Sequence, residues 1–219
     1  MGSRLTQIPQ ITDKITENPK LNSESEPMEK IILEYITKYV DLTPEESTSV
    51  LKELPYETFP KGSHILKQGE VSKACYFNIK GIVREYEFVD GDEVTTCFYT
   101  EGEAIVDFDS VSQNTPTQLN WVCEEDTTLV IGYFDRIEGS YARNPKLEKM
   151  SALFVNSNFG KYKELSRSFI TLTPEQRYLK LLEHRKDLVQ RVTQYHLASY
   201  LGIKPETLSR IRKRLARGS

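Results

Sequence analysis

The chain has 219 residues, of which 38% are hydrophobic and 28% charged, within the range of folded domains and outside that of disordered or collagen-like chains. No apolar run approaches the roughly 18 residues that a membrane-spanning helix needs, and three scattered cysteines fit neither a disulfide framework nor a zinc cluster. No charged-then-apolar leader marks the chain for secretion, so we expect a cytoplasmic protein without a membrane partner.

The charge is unevenly distributed along the chain. Residues 172–219 carry 11 Lys and Arg against 4 Asp and Glu, a net charge of +7, whereas the preceding 171 residues carry 18 against 28, a net of −10. A basic segment on an acidic body is typical of a chain that meets a polyanion, although a solvated basic helix would explain the charge alone equally well. The sequence pattern must decide between the two.

The first part of the chain predicts a leader and two helices. Residues 1–27 are polar and contain three prolines, which predicts a largely disordered leader of the kind added for expression. Apolar residues at helical spacing follow from Met28 to Tyr39. Thr43-Pro44-Glu45-Glu46 then forms a capping box with proline at the first helical position, so a second helix is expected to run to about Pro55.

The middle of the chain predicts strands. Short β-branched or aromatic runs are separated by glycines at intervals of 7 to 12 residues, a pattern typical of an all-β barrel or sandwich. The runs are 65–67, 74–79, 82–88, 94–99, 118–124 and 127–133. We therefore predict an α+β fold in which residues 28–144 form a sensor domain: a double-stranded β-roll, or jelly roll, of about eight strands, preceded by the two helices.

A long helix is predicted after the roll, from Lys146 to about Ser168, within a dimerisation segment of residues 145–171. Its apolar positions recur near a 3.5-residue repeat and are Leu147, Met150, Phe154, Leu165 and Phe169. About 23 residues of helix span about 35 Å, which is longer than one small roll can cover. Part of the apolar edge is therefore expected to meet a second copy of the chain as a dimerisation helix. Packing on its own domain alone is the alternative.

Residues 172–219 are predicted to form a separate helical domain. Thr173-Pro174-Glu175-Gln176 is another capping box, and Thr193 can cap a helix over 194–201. Gly202 then allows a turn, and Pro205 opens a second helix to about Ala216. Apolar residues occupy the positions that a helix-turn-helix buries between its two helices, namely Leu197, Ala198, Leu201, Ile203, Leu208 and Ile211. A generic helical hairpin is the alternative.

The last helix separates its residues by face. Glu206, Ser209 and Arg210 share one side, where Arg can donate twice to guanine and Glu can accept from cytosine in the major groove. These three are the predicted base-reading residues. The residues predicted to contact DNA phosphates are Thr193, Lys204, Arg212, Lys213, Arg214 and Arg217.

From Met28 onward, about 190 residues resemble the Crp–Fnr family of bacterial transcription regulators. The resemblance is most specific at Glu206-Thr207-Leu208-Ser209-Arg210, which is similar to the Glu-x-x-Ser-Arg signature of the Fnr-like branch. It implies a cyclic-nucleotide-binding-like roll, a dimer helix and a winged helix-turn-helix that reads TGA-like half-sites of an inverted repeat. It also implies double-stranded DNA, a second copy of the chain and RNA polymerase as partners. The wing is expected to be incomplete, because only Arg217-Gly218-Ser219 follows the predicted helix.

The resemblance also places a candidate ligand pocket in the roll. Cyclic-AMP-binding members carry Gly-Glu and, about ten residues later, an arginine that holds the phosphate. In this chain the candidate pocket residues are Gly102, Glu103, Asp107, Thr117 and Gln118, with Thr117 at the arginine position, together with Arg84 from a different strand. Because a buried phosphate needs a compensating cation, an unknown or absent effector is favoured over a cyclic nucleotide.

Other cofactors and activities lack candidate residues. The cysteines lie at least 22 residues apart, so an iron–sulfur cluster is not expected. No His-x-His or His-x-x-Glu spacing indicates a metal site, and no nucleophile-elbow, phosphate-loop or dinucleotide motif indicates an enzyme. The alternative to a DNA-binding regulator is a signalling module that binds a cyclic nucleotide or other small ligand and docks on a protein through its basic tail.

Overall fold

The computed structural model describes the backbone of residues 25–217 and the side chains of residues 28–153, 160 and 162–217. The predicted leader lies outside this range except for its last three residues, which already belong to the first helix. The wing prediction at 218–219 and the side chain of Phe154 also lie outside it. None of the helices in residues 25–217 is long and apolar enough to cross a membrane.

Two helices precede the roll, as predicted. Helix α1 spans Ser25–Ile36, and helix α2 spans Pro44–Glu53. The Thr43 hydroxyl accepts a hydrogen bond from the Glu46 amide, and the Glu46 carboxylate accepts one from the Thr43 amide, which confirms the capping box. Ile32, Ile36 and Val50 pack with Ile79 and Val130 of the roll. The two helices therefore cover one of its faces.

Eight strands form the roll within the described residues. They are β1 (Tyr56–Phe59), β2 (His64–Leu66), β3 (Ala74–Lys80), β4 (Val83–Val89), β5 (Asp92–Tyr99), β6 (Ala104–Ile105), β7 (Asn120–Cys123) and β8 (Thr127–Tyr133). All pairings are antiparallel, in two sheets of order β1-β8-β3-β6 and β2-β7-β4-β5. Trp121, Val83, Ile105 and Leu129 are fully buried in one cluster of the roll. The two sheets thus close over a packed interior.

Two short helices around the roll were not predicted. Helix α3 spans Phe108–Gln113 and is capped by Asp107, whose carboxylate accepts from the Ser110 amide. Helix α4 spans Phe134–Arg143 and follows β8 without a connecting loop or a side-chain cap. Helix α3 has only six residues, too few to show a helical period, and α4 has no side-chain cap to mark its start.

Helix α5 spans Pro145–Thr171, so the predicted long helix is confirmed, with its start one residue earlier and its end about three residues later than predicted. Its first turns pack on the roll and the N-terminal helices through Leu147 and Met150. Farther along, apolar side chains are exposed at Leu153, Tyr162, Phe169 and Ile170. The helix therefore covers its own domain at one end and exposes these four apolar side chains among the described residues farther along.

Residues 172–217, called here the C-terminal unit, form four helices joined by short turns. It contains α6 (Pro174–His184), α7 (Lys186–Arg191), α8 (Gln194–Tyr200) and α9 (Pro205–Arg217). Helices α8 and α9 have the predicted bounds to within a residue and α6 begins at its predicted capping box, whereas the six-residue α7 was not predicted. A core of Tyr178, Leu188, Leu197, Leu208 and Ile211 holds the four helices together.

Candidate functional site

The turn between α8 and α9 depends on a glycine. Gly202 has φ of +66°, a left-handed conformation that other residues adopt only with strain. A Cβ at this position would lie 3.1 Å from Cε1 of Phe169. The chain therefore reverses tightly here and brings α9 across α8.

Helix α9 buries one stripe and exposes the rest. Leu208 is fully buried and Ile211 is 5% exposed, three residues later on the same face. The carbonyl of Lys204, the residue before Pro205, accepts hydrogen bonds from the Thr207 and Leu208 amides, which completes the first turn of α9. Because the buried stripe fixes the rotation of the helix, it also fixes which residues point to solvent.

The three predicted base-reading residues lie together on the outer face of α9. Glu206 and Arg210 are exposed, and Ser209 is half-buried between them. The Arg210 guanidinium donates to the Thr207 hydroxyl at 3.2 Å, a contact within one helical turn that leaves its other donors available. The outer face thus combines an acceptor, a hydroxyl and a planar cation within two turns.

The six predicted phosphate-contacting residues divide into two groups. Lys204, Lys213 and Arg217 are exposed on or beside α9. Thr193, Arg212 and Arg214 have intramolecular roles. The Thr193 hydroxyl caps α8 by accepting from the His196 amide at 3.2 Å, Arg212 lines a cleft with Lys186 and Gln190, and Arg214 pairs with Glu175 of α6.

In the roll, two of the predicted pocket residues bind each other. The Thr117 hydroxyl donates to one carboxylate oxygen of Asp107, while the other oxygen accepts from the Ser110 amide at 3.0 Å. The Thr117 hydroxyl in turn accepts from the Leu119 amide at 2.9 Å. Both residues are buried. The position where cyclic-AMP-binding members carry an arginine is therefore occupied by a hydrogen-bond network of Thr117, Asp107, Ser110 and Leu119 that contains no cation.

The remaining pocket residues do not join this pair. Gln118 is exposed and accepts from the Gln68 side chain at 2.9 Å. Gly102 adopts φ of +81° in the β5–β6 turn, and the Glu103 carboxylate beside it accepts from the Thr100 amide at 2.7 Å. These residues serve the turn and the surface instead of lining one pocket with Asp107.

Placing Arg84 in the ligand pocket was wrong. Its guanidinium is 4% exposed but lies on the face of β4 that contacts the C-terminal unit. It donates to Glu93 at 2.8 Å and to Glu124 at 2.6 Å, and Glu124 also lies 3.0 Å from Nδ1 of His196 in α8. Residues alternate between the faces of a strand, so Val83 and Glu85 point inward and Arg84 between them points outward.

Sequence reasoning missed the carboxylate inside the roll. Glu85 is 8% exposed and accepts from Thr96 Oγ1 at 2.8 Å, Tyr99 OH at 2.8 Å and Trp121 Nε1 at 2.9 Å. All three donors are neutral. Among the described residues, the Glu85 carboxylate is therefore stabilised by hydrogen bonds and makes no ion pair. A register shift in the β4–β5 pairing follows Glu85 and leaves Thr96 without a partner, as in a bulge that re-aims a side chain. The sequence signal that could have found it is strand alternation, because Val83 and Glu85 are two residues apart and share one face of β4.

The tyrosine that binds Glu85 connects the roll to α5. The Tyr99 hydroxyl lies 2.7 Å from that of Tyr162. Burial raises the pKa of Tyr99 well above its ordinary value, and the carboxylate nearby raises it further, so the phenol remains protonated and can donate. Among the described residues, no group of three or more His, Cys, Asp or Glu side chains is arranged to hold a metal ion.

Comparison with known proteins assigns the roll to a domain family. Residues 56–133 match the cyclic nucleotide-binding domain. The match begins at the first residue of β1 and ends at the last residue of β8, so it covers the roll and leaves the helices on both sides outside. A search of curated protein sequences finds no significant match.

Solved structures share the fold beyond the roll. FixK2 from Bradyrhizobium japonicum is 17% identical, with a TM-score of 0.62 over 75% of this chain and 85% of that one. The regulator CLP from Xanthomonas campestris, described as responsive to c-di-GMP, is 15% identical, with a TM-score of 0.64 over 80% of this chain and 93% of that one. A cyclic nucleotide-binding domain from Methylobacillus flagellatus is 16% identical, with a TM-score of 0.54 over 64% of this chain and 83% of that one.

These comparisons bear out the coarser part of the family resemblance. Residues 56–133 match the cyclic nucleotide-binding domain, and the three solved structures share the fold over 64–80% of this chain. The α+β architecture, with a roll of two antiparallel sheets and helices after it, agrees with the prediction. At this level of identity the neighbours establish the fold, and the activity has to be argued from the residues.

Proposed function

We propose that the chain is a sequence-specific DNA-binding transcription regulator of the Crp–Fnr type. In this proposal α8 and α9 form a helix-turn-helix, and two copies of the chain bind an inverted repeat with TGA-like half-sites. Residues 28–144 act as the sensor domain, 145–171 as the dimer helix and 172–219 as the DNA-binding domain. RNA polymerase is the further partner that the resemblance predicts.

The outer face of α9 is the observation that carries the proposal. Glu206, Ser209 and Arg210 are spaced to lie on one side of the helix, and they are held outward because Leu208 and Ile211 are buried on the other. Arg210 can donate two parallel hydrogen bonds to a guanine, and Glu206 can accept from a cytosine amine. They lie in the first half of α9, the part of a recognition helix that enters the major groove.

Exposed cations on and beside α9 would increase the affinity for DNA and help to position the helix on it. Lys204, Lys213 and Arg217 surround the reading residues and have the charge and reach for phosphate contacts, which bind all sequences alike. Arg214 contributes through the same surface once its exposed pair with Glu175 is exchanged for a phosphate. Exposed ion pairs contribute little to stability, so this exchange costs little.

The proposed dimer depends on the apolar surface of α5. Ile170 is 85% exposed and Phe169 43% exposed near the C-terminal end of the helix, and Leu153 is 38% exposed nearer its N-terminal end. A second copy that packs its own α5 against the side of Ile170 would bury part of this apolar surface in a symmetric interface. Two C-terminal units would then face the two half-sites of an inverted repeat.

The sensor is proposed to have lost the phosphate site of cyclic-nucleotide-binding relatives. Thr117 replaces the cation, and its hydroxyl is already committed to Asp107. The interior of the roll also contains the Glu85 carboxylate, which would repel a second anion at low dielectric. An effector, where one exists, is therefore expected to be recognised by groups other than a phosphate.

Binding measurements with two matched variants test the reading face. Arg210→Ala should cost about 1–3 kcal/mol on the preferred site and relax specificity at one base pair. Lys213→Ala should weaken all sequences alike and reduce the salt dependence by about one phosphate contact. Fluorescence anisotropy with labelled duplexes at several salt concentrations distinguishes them. If Arg210→Ala leaves sequence preference unchanged, the reading face is wrongly assigned, and the protein-docking alternative gains support.

A further inference from the structure

The C-terminal unit is attached to the roll by a set of ion pairs that its proposed DNA contacts do not use. Arg191, in the last turn of α7, donates to both carboxylate oxygens of Glu101, at 3.0 and 2.7 Å, and also pairs with Glu125. These carboxylates raise the pKa of Arg191, and Arg191 keeps the pKa of Glu101 below its ordinary value although burial acts in the opposite direction. One guanidinium thus bridges two loops of the roll.

A second arginine binds the same turn of the roll from another angle. Arg185, between α6 and α7, donates to the Phe98 carbonyl at 3.1 Å, the Thr100 hydroxyl at 2.9 Å and the Glu103 carboxylate at 3.1 Å. Its side chain is 23% exposed and that of Glu103 only 11%. Partly buried, charge-assisted contacts of this kind are stronger and more geometrically specific than exposed pairs.

Uncharged contacts extend the interface along β5. The Thr95 amide donates to the Ser199 hydroxyl of α8 at 2.9 Å, and the rings of Phe98 and Tyr200 meet edge to face with centroids 5.3 Å apart. Phe98 is fully buried in the same apolar cluster as the core of the C-terminal unit. The unit is therefore packed against the roll as well as attached by charge.

The turn that receives both arginines adjoins the candidate sensor site. Glu101 and Glu103 flank Gly102 in the β5–β6 turn, and the Glu101 carboxylate also accepts from the Gly81 amide at 2.9 Å. The two-residue strand β6 follows at once, and Asp107 comes two residues after it. A ligand or conformational change at Asp107 therefore acts within a few residues of the groups that hold the C-terminal unit.

We propose that Arg185 and Arg191 clamp the C-terminal unit to the β5–β6 turn, and that the clamp sets the position of α9 relative to the dimer helix. The regulatory part rests on the proposed function. The clamp leaves Glu206, Ser209 and Arg210 exposed, so it does not occlude the reading face. It fixes instead the spacing between two reading helices, which determines whether both half-sites of a repeat are engaged at once.

Hydrogen exchange in the full chain tests the clamp without DNA. Arg191→Met and Arg185→Met retain the aliphatic stem and remove the charge, so exchange in residues 95–103 and 186–200 should accelerate by about tenfold as the interface opens. Arg143→Met is the matched control, because Arg143 also pairs doubly with a glutamate, Glu53, away from this interface. Unchanged exchange in both clamp variants would overturn the clamp.

Charge reversal shows whether the effect belongs to the pair. Arg191→Glu should open the interface further, and adding Glu101→Arg should restore slow exchange in part, because the ion pair forms again in reverse while Glu125 and the Gly81 amide lose their partners. If the double variant exchanges as fast as Arg191→Glu alone, the contact with Glu101 does not hold the unit and the clamp as described is wrong.

DNA binding tests the regulatory part separately. Arg191→Met should weaken binding to an inverted repeat by about tenfold and change binding to a single half-site by less than about twofold, because only simultaneous engagement depends on spacing. Faster exchange with unchanged binding to the repeat would overturn regulation by the clamp. Faster exchange in a protein that prefers no DNA sequence would retain the clamp and refute the proposed function.

Discussion

The roll and the C-terminal unit differ in whether they bury charged side chains. The roll buries Glu85, Arg84 and Asp107 and satisfies each of them with internal partners. In residues 172–217, by contrast, no buried side chain is charged, and the core consists of aliphatic and aromatic residues. The same chain thus contains one region that buries charged side chains and one whose buried side chains, within residues 172–217, are all uncharged.

This difference indicates where a polyanion can bind. A buried charge that already has its partners offers little to a ligand, because engaging it means breaking contacts that are strong at low dielectric. Exposed cations on a rigid helix keep their donors available at low cost. The comparison therefore favours α9 as the surface that binds DNA and disfavours the roll as a phosphate site.

The apolar core of the C-terminal unit gives the largest expected effect. Leu208→Ala should lower the free energy of unfolding by about 2–5 kcal/mol, since it removes a fully buried side chain between α8 and α9. Leu179→Ala, at a position that is 43% exposed, is the control and should change it by less than about 1 kcal/mol. Equal effects in chemical denaturation would show that the unit is not organised around that stripe.

The internal charge of the roll gives the next effect. Tyr99→Phe removes a donor to the Glu85 carboxylate and should cost about 1.5–3 kcal/mol, the range for hydrogen bonds to charged groups. Tyr195→Phe is the control, because the Tyr195 side chain is 55% exposed. Chemical denaturation of both variants compares them. A loss below about 0.5 kcal/mol for Tyr99→Phe would mean that the buried carboxylate does not depend on this donor.

A smaller effect is expected at the N-terminus of α8. Thr193→Ala removes the hydroxyl that accepts from the His196 amide and should cost about 1 kcal/mol. Thr171→Ala, in the last turn of α5, removes a hydroxyl that only donates to its own helix and should be nearly neutral. Thermal unfolding of the two variants measures the difference. Identical melting temperatures would remove Thr193 from the residues that position the helix pair.

The smallest effect concerns cyclic nucleotides. Because the arginine position is occupied by Thr117 and the interior is acidic, 1 mM cyclic AMP or cyclic GMP should stabilise the protein by less than about 0.4 kcal/mol, corresponding to dissociation constants of about 1 mM or weaker. Differential scanning fluorimetry over a ligand series measures this. A saturable rise in melting temperature at micromolar ligand would show that the roll binds the phosphate by groups that Asp107 and Thr117 do not reveal.

Much of the fold could be predicted from the sequence because its signals are local. The capping boxes at Thr43 and Thr173, the glycine at position 202 and the period-two runs of the roll each predict an element from a few neighbouring residues. Helices α3 and α7 were missed because six residues are too few to show a helical period, and α4 was missed because it follows β8 directly and has no side-chain cap.

In the candidate site too, local features could be predicted from the sequence and long-range contacts could not. The reading residues of α9 could be found because helical periodicity alone places Glu206, Ser209 and Arg210 on one face. The partners Glu124 of Arg84 and Glu101 of Arg191 could not, because those contacts join residues that are 40 and 90 positions apart in the sequence. Strand alternation alone could have placed Glu85 inside the roll. Its three donors could not be predicted, because they lie on two other strands, β5 with its bulge and β7.

Selection of bound fragments from random duplex DNA by the full-length protein tests the central claim most directly. The account predicts enrichment of an inverted repeat whose TGA-like half-sites are separated by about one helical turn, and loss of the guanine preference in Arg210→Ala. Recovery of unenriched sequence, or of a motif that Arg210→Ala recovers unchanged, would contradict it.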